Sequence, residues 1–396
     1  MSLIGQSVTV VGAGVAGLAL ARALALRGAR VTVLEQADAI REVGAGLQIS
    51  PNGAAVLRAL GLQADLDAAS IRAEAVQLVD GPSGDAVVRL DLGRLRPDQG
   101  YHFLHRADLI GLLLKAAQEA GVTLRLLSRV AEIDLSGPGP ALLLEGGTRL
   151  ETPLLFGADG LHSRIRAALN GVETPFFTRQ VAWRAVIPAE PGAAPVAEVH
   201  MGPGRHLVSY PWRGGALRNI VAVEERAKWA EESWTLRDDP MELRLAFKGF
   251  SPRVRGWLDR IEDPWLWGLF RHQVAGVWTR ALPDGGVAIL GDAAHPTLPF
   301  LAQGASMGLE DAWVLADCLA RHATPAAALA AYQASRKPRT ARIVAAANAN
   351  ARAYHLSGLP RLVGHTGLRL LGRLSPGMML SRFDWLYGHD VTVSQA

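Results

Sequence analysis

A chain of 396 residues exceeds the ~250–300 at which one hydrophobic core stops growing, and 49% hydrophobic against 20% charged residues excludes a disordered polymer. The 41 basic and 37 acidic residues leave a net charge of +4 without a long run of like charges, which argues against a nucleic-acid-binding stripe and mildly favours small anionic ligands. The single cysteine, Cys318, excludes an intramolecular disulfide and a thiolate metal cluster, and is expected on the buried face of a helix.

In chain order, Ser7 to Val11 ("SVTVV") reads as a short buried parallel strand. "GAGVAG", an apolar helical pattern over 18–26 and the strand "RVTVLE" ending at Glu35 follow, a strand-helix-strand unit of the doubly wound kind. "AEAVQLVD" and "AVVRLDL" read as strands joined by "GPSG", a hairpin excursion from the first domain. "HRADLIGLLLKAAQEAG" is an amphipathic helix and "LLFGAD" another apolar strand. From Gln180 to about Trp278 the texture changes to short strands carrying eight of the ten tryptophans. "GVAILG", over 286–291, returns to a buried strand, and a long helix is expected to end near Ala320. Alanine-rich, basic helical segments dominate after Pro325.

The expected fold is α/β: a doubly wound, Rossmann-like domain interleaved with a mixed-sheet second domain and a C-terminal helical segment. Residues 1–75, 101–180 and 279–355 are assigned to the first, 76–100 and 181–278 to the second, and 356–396 to the third. No signal-peptide pattern precedes Gln6 and Ser7, and no stretch of about 18 uninterrupted apolar residues occurs, so the expected home is a reducing cytoplasm.

Gly12, Gly14 and Gly17 form G-x-G-x-x-G, enclosing Ala16, directly after a strand and before a helix, with Glu35 at the end of the next strand. Glycine lets the backbone turn tightly and approach a pyrophosphate, whose charge the helix N-terminal N–H groups meet, while the acid accepts hydrogen bonds from an adenosine ribose. Two further motifs lie far downstream, "GADGLHSRIR" with Asp159 and Arg166, and "GDAAHP" with Asp292. With these the chain resembles the para-hydroxybenzoate hydroxylase type of single-component FAD-dependent aromatic monooxygenase. The likeness extends from about Gln6 to Asp390 through "REVGAGLQISPNG", "HRADL", "AWRAVIP", "GPGRHLVSYPW" and "AQGASMGLEDA". Within that family the pattern is most similar to salicylate hydroxylase, 3-hydroxybenzoate 6-hydroxylase and 6-hydroxynicotinate monooxygenase.

The resemblance implies roles for individual residues. Glu35 holds the adenosine ribose, Arg41 and Arg106 reach the ribose, ribityl or phosphate region, Val130 offers a backbone contact to the adenine, and Asp292 binds the ribityl chain. Gly46, Pro299, Gly304, Ala305 and Ser306 complete the cofactor set, the last three opening a helix whose positive dipole end faces the pyrimidine edge of the flavin. Asp159 contacts FAD and helps receive the nicotinamide donor, although an Asp-Gly pair is also an ordinary turn after a strand. His206 and Tyr210, four apart on a strand, share a face and can line one pocket. The resemblance gives them and Gln303 the catalytic positions, His206 as general base and Tyr210 also as a substrate contact. Gln48, Trp183, Arg184 and Pro299 are further substrate contacts, and Trp212 is a second candidate wall. Gln48 stands where the 6-hydroxynicotinate enzymes carry histidine, which favours a hydroxybenzoate. His295 is read as a loop-ordering residue, and no His/Asp/Glu group has metal-ligand spacing.

The implied activity is NAD(P)H- and O2-dependent hydroxylation of a small anionic phenol or heteroaromatic ring, through a flavin hydroperoxide, by a monomer or homodimer. The alternatives are a flavin hydroxylase of a larger apolar ring, such as a quinone precursor, and a non-enzymatic dinucleotide-fold interaction protein.

Overall fold

The structure is a computed structural model describing residues 2–40, 46–226, 232 and 236–393, the side chain of Leu95 excepted. Its organising element is a six-stranded sheet in the order Thr279–Leu282, Gly285–Ile289, Leu154–Gly157, Ser7–Val11, Arg30–Leu34, Thr123–Arg125. All neighbours run parallel except the first pair. The central strands carry Val8, Val10, Val33, Leu155 and Ile289, all buried. Such near-continuous apolar runs are what a parallel sheet covered on both faces requires. Helices Val15–Ala25, Arg106–Glu119 and Gly304–Arg321 pack around it in one core cluster.

A seven-stranded sheet stands beside it in the order Trp265–Arg271, Phe176–Pro188, Leu217–Glu225, Arg205–Trp212, Val196–Gly202, Ala75–Asp80, Ala86–Asp91. The 75–91 hairpin thus leaves the first sheet's neighbourhood to extend the second, as the interleaved reading expects. Away from register breaks between Phe177 and Gln180 and between Leu78 and Val79, side chains of this sheet alternate. Leu207, Ile220, Ala222 and Trp183 enter a core with Leu243, Phe247, Val254 and Trp257 of helices Pro240–Ala246 and Pro252–Leu258. The intervening residues face the other way: Ala182 and Val223 pack with Leu298, Phe300 and Ala351, and Val199 and Met201 with Tyr354 and Leu368. That period of two aligns the chemistry-bearing side chains on one wall.

The 30-residue helix Pro325–Tyr354 runs back across the molecule, and helices Gly358–Leu374, Pro376–Ser381 and Asp384–Tyr387 close its far side. Among the described residues no helix is long and apolar enough to cross a membrane. Cys318 lies on helix Gly304–Arg321 but is only half-buried.

Candidate active site

A cavity of about 300 Å³ opens where the two sheets meet. Gly14 and Ala16 line it from the glycine-rich turn, and Asp292, Pro299, Gln303, Gly304 and Ala305 from the loop after strand Gly285–Ile289. Gly46, Gln48 and Arg106 contribute a third side, and Arg184, His206 and Tyr210 the fourth, from the seven-stranded sheet. All three thirds of the sequence therefore converge on one chamber.

The glycines divide the work. A side chain on Gly12 would run into the Ala158 carbonyl and one on Gly17 into the Gly12 carbonyl, so these two permit the turn and the close helix-strand packing. A Cβ on Gly14 would meet nothing within 4 Å among the described residues, which leaves an open cradle at the start of helix Val15–Ala25. No side chain caps that helix and its first turn holds no acid. The same is true of helix Gly304–Arg321. Both N-termini meet the one cavity, each offering unpaired N–H groups and roughly half a positive charge.

Glu35 lies behind the glycine turn. One carboxylate oxygen accepts from Ala13 N–H at 2.9 Å and the other from Ala37 N–H at 3.0 Å, while the Glu35 carbonyl accepts from Ser128 N–H at 2.8 Å. The last contact brings the segment leading to Val130 against Glu35, at the same end of the sheet; Val130 itself is buried and lies outside the cavity lining. Asp292 is exposed at the cavity wall. Arg41 lies outside the described residues.

Several expected contacts sit elsewhere. Trp183 faces the helix-covered side of its sheet, its indole N–H donating to Asp238 at 2.8 Å, because alternation sends Arg184 and not Trp183 into the cavity. Trp212 stacks on His105 with ring centroids 4.6 Å apart, outside the cavity lining. Asp159 accepts from Arg164 N–H at 2.8 Å at the start of helix Arg164–Asn170, and burial pushes its carboxyl pKa up against the bonds from Ser163 and the helix. Ser306 is fully buried and its hydroxyl lies 3.0 Å from that of Ser50.

Gln303 is buried too. Its amide donates to the Ser50 hydroxyl at 2.8 Å and its carbonyl accepts from Asn52 at 3.1 Å, while Asn52 also donates to Glu310 at 2.6 Å. This network was invisible to motif reading; the polar pair Ser50 and Asn52 in "QISPNG" was its only signal. A second unforeseen cluster holds the loop from beneath. Asp311 accepts from Gly291 N–H at 3.0 Å, from Arg336 at 2.8 Å and from His295, and Glu310 is bound by Arg336 and Arg339. His295 is thus a loop-ordering residue, as the sequence suggests. Arg166 clamps the same loop, donating to the carbonyls of Ala293 and Ala294 at 3.1 and 3.4 Å.

On the facing wall, Tyr210 packs 4.9 Å from Phe103, centroid to centroid, and burial raises its pKa so that it stays a neutral phenol. Gln48 accepts from the Tyr101 hydroxyl at 2.8 Å. Arg184 lies with its guanidinium 4.7 Å from the Trp267 ring; burial lowers its pKa to about 10, which leaves it charged at neutral pH. His206 has a pKa well below the usual 6.5, first because burial disfavours the imidazolium and second because His355 adjoins it. A second cavity of about 440 Å³ adjoins the first through Gln48, His206, Val208, Pro299, Phe300 and Ala302. Its walls are mainly aliphatic, with Leu78, Leu90, Val199, Met201 and Leu368 among them.

These features fit an extended anionic dinucleotide: an open glycine cradle, two uncapped helix starts and an acid behind the turn. A scan of family models matches residues 6–347 to the FAD binding domain family, and the chain belongs to it. The class so defined is that of FAD-dependent aromatic monooxygenases. The chain is 33% identical to 3-amino-4-hydroxybenzoate 2-monooxygenase of Streptomyces platensis, with 97% of this chain and 96% of that one covered. It is also 33% identical to 3-hydroxybenzoate 6-hydroxylase of Klebsiella oxytoca, with 96% of each covered. A salicylate hydroxylase substrate complex shares the fold, with TM-score 0.81 and 23% identity over 98% of this chain and 96% of that one.

Proposed function

We propose that the protein hydroxylates a small anionic phenol of the hydroxybenzoate kind, using NAD(P)H and O2. The observation carrying this reading is that His206, Tyr210 and Arg184 share one wall of the cavity whose opposite walls are the glycine turn and the Asp292 to Ala305 loop. Relatives named for 3-amino-4-hydroxybenzoate and 3-hydroxybenzoate support the substrate class. Segments 1–75, 101–180 and 279–355 would serve the cofactor and 76–100 and 181–278 the substrate, in a cytoplasmic protein.

Glu35, the Gly12 to Gly17 turn, Asp292 and the start of helix Gly304–Arg321 would hold FAD, with Gly46 and Arg106 beside it. Held there, FAD would supply the redox and oxygen-activating chemistry of the reaction. Arg184 attracts a ring carboxylate, a charge-assisted contact strengthened by burial. His206 accepts the phenolic proton, raising electron density on the ring. Tyr210 and Gln48 orient the ring by hydrogen bonds, and Gln303, fully engaged with Ser50 and Asn52, positions the helix start rather than transferring protons.

A second reading, an aromatic ring carrying a larger apolar portion, is favoured by the 440 Å³ aliphatic cavity beyond His206. A panel running from hydroxybenzoates to alkylated and fused-ring phenols, scored by NADH oxidation and product mass, separates the two. Yellow protein whose NADH oxidation requires a hydroxybenzoate is the expected result. Colourless protein that takes up no FAD would refute both readings, and Asp292→Ala retaining full FAD occupancy would refute the proposed cradle.

A further inference from the structure

We infer that His206, His355 and Glu225 form a proton relay connecting the cavity to solvent. The inference rests on the hydroxylase reading above and adds two residues to it. His206 Nδ1 lies 2.7 Å from His355 Nε2, and His355 Nδ1 lies 2.7 Å from a carboxylate oxygen of Glu225. The three come from distant parts of the chain: His206 from strand Arg205–Trp212, Glu225 from the end of strand Leu217–Glu225, and His355 from the residue after helix Pro325–Tyr354. Gly204 N–H donates to the His355 carbonyl at 3.2 Å and fixes its backbone. Exposure rises along the series: His206 is 1% exposed, His355 8%, and the Glu225 side chain 54%.

The bonds dictate the tautomers. An ionised carboxylate only accepts, so His355 carries its proton on Nδ1. A neutral His355 then presents a lone pair on Nε2, so His206 must donate from Nδ1. His206 is left with its unprotonated nitrogen at Nε2, in a ring lining both cavities. When Nε2 takes the phenolic proton, the Nδ1 proton of His206 passes to His355 Nε2, and the Nδ1 proton of His355 passes to Glu225 and on to water. One proton enters and one leaves, and no imidazolium persists in the buried chamber.

This answers an otherwise awkward chemistry. Burial disfavours the charged form of His206, which alone would make it a poor base. Burial lowers the pKa of His355 as well, against the pull of Glu225 and with a push from Arg205. Of the other groups around the pair, Arg205 is 3.4 Å from Glu224, which also faces Arg226 at 3.7 Å, and the rings of Phe300 and Tyr354 lie 5.5 and 5.2 Å from His206. Glu225 is the carboxylate that reaches the relay.

The test uses FAD-loaded enzyme and a carboxylated nitrophenol, whose phenolate is coloured, with an indicator dye reporting protons released on binding. Glu225→Gln and His355→Gln should slow both phenolate formation and proton release by roughly tenfold or more, as loss of an acid-base partner does, while the nitrophenol still binds. Glu225→Asp should restore most of the rate. Because Glu225 is exposed, its Gln variant keeps the reasoning testable if His355→Gln fails to fold. Wild-type rates in Glu225→Gln would overturn the relay alone. Wild-type enzyme that holds FAD but neither binds nor deprotonates the probe would overturn the hydroxylase reading and the relay with it.

Discussion

Replacing Arg336 by Met tests how the loop from Gly291 to Gln303 is held. Arg336 is 1% exposed and binds two carboxylates, Glu310 and Asp311, that are themselves fully buried. Glu310 would keep Arg339, which donates twice at 2.8 Å, and Asn52 at 2.6 Å. Among the described residues Asp311 would keep only His295 and the Gly291 N–H. Burial pushes the Asp311 carboxyl up, but the charges of His295 and Arg336 and the Gly291 N–H outweigh it and hold its pKa at about 2. Stripping one partner from a buried ion pair costs ~3–5 kcal/mol. Since Glu310 stays satisfied, the lower end applies, and at ~2–4 °C per kcal/mol the melting temperature should fall by roughly 6–12 °C. Because Asp311 anchors Gly291 beside Asp292, FAD affinity should fall too. Thermal melts followed by flavin fluorescence, with occupancy from the visible absorbance, read both effects, and Arg352→Met on an exposed site serves as the control. A melting temperature within about 2 °C of wild type, equivalent to under ~1 kcal/mol, with full occupancy would refute the reasoning.

Two other outcomes follow from single sites. A Cβ on Gly46 would stand 2.9 Å from the Tyr210 ring, so Gly46→Ala should displace Tyr210 at a cost of ~1–3 kcal/mol and raise KM for the aromatic substrate; an unchanged KM would contradict that contact. Stability should fall as pH drops below about 6.5: burial lowers the pKa of His102, His206 and His355, so the unfolded chain takes up protons there that the native state refuses. Melting curves from pH 8 to 5.5 measure this, and a rising melting temperature on acidification would refute the sign.

The parts of this protein legible in sequence are those whose signal is local. The strand-turn-helix at Ser7 to Ala25 couples apolar periodicity to three glycines, and the hairpin at 75–91 announces itself by alternation on either side of "GPSG". His206 and Tyr210 meet one cavity because they are four apart on a strand, a purely local rule. Trp183 misled because strand phase cannot be set from sequence alone: a slip of one residue exchanges it with Arg184 across the sheet. His355 and Glu225 were unreadable for a different reason. They lie 149 and 19 positions from His206, and nothing near either one marks it as facing a cavity. The acids of "GLEDA" and the arginines of "SRKPRT" were visible as opposite charges, but only the packing of helix Pro325–Tyr354 on helix Gly304–Arg321 makes them partners.

The loop from Gly291 to Gln303 illustrates how distant residues shape a cavity they do not all line. Ala302, immediately before Gln303, has φ of +52°, a left-handed conformation that costs a non-glycine residue ~1–2 kcal/mol. That turn brings helix Gly304–Arg321 to face the cavity N-terminus first. It is offset by Gln303 bound to Ser50 and Asn52, by Arg166 on the carbonyls of Ala293 and Ala294, and by Asp311 on Gly291. Ser50, Asn52, Arg166 and Asp311 are all buried and lie outside the loop, so its shape is fixed by packed side chains. The positive end of a helix stabilises developing negative charge only if it need not move to do so. On the proposed function, a buried charge network would therefore contribute to chemistry in a cavity that neither Arg336 nor Asp311 lines.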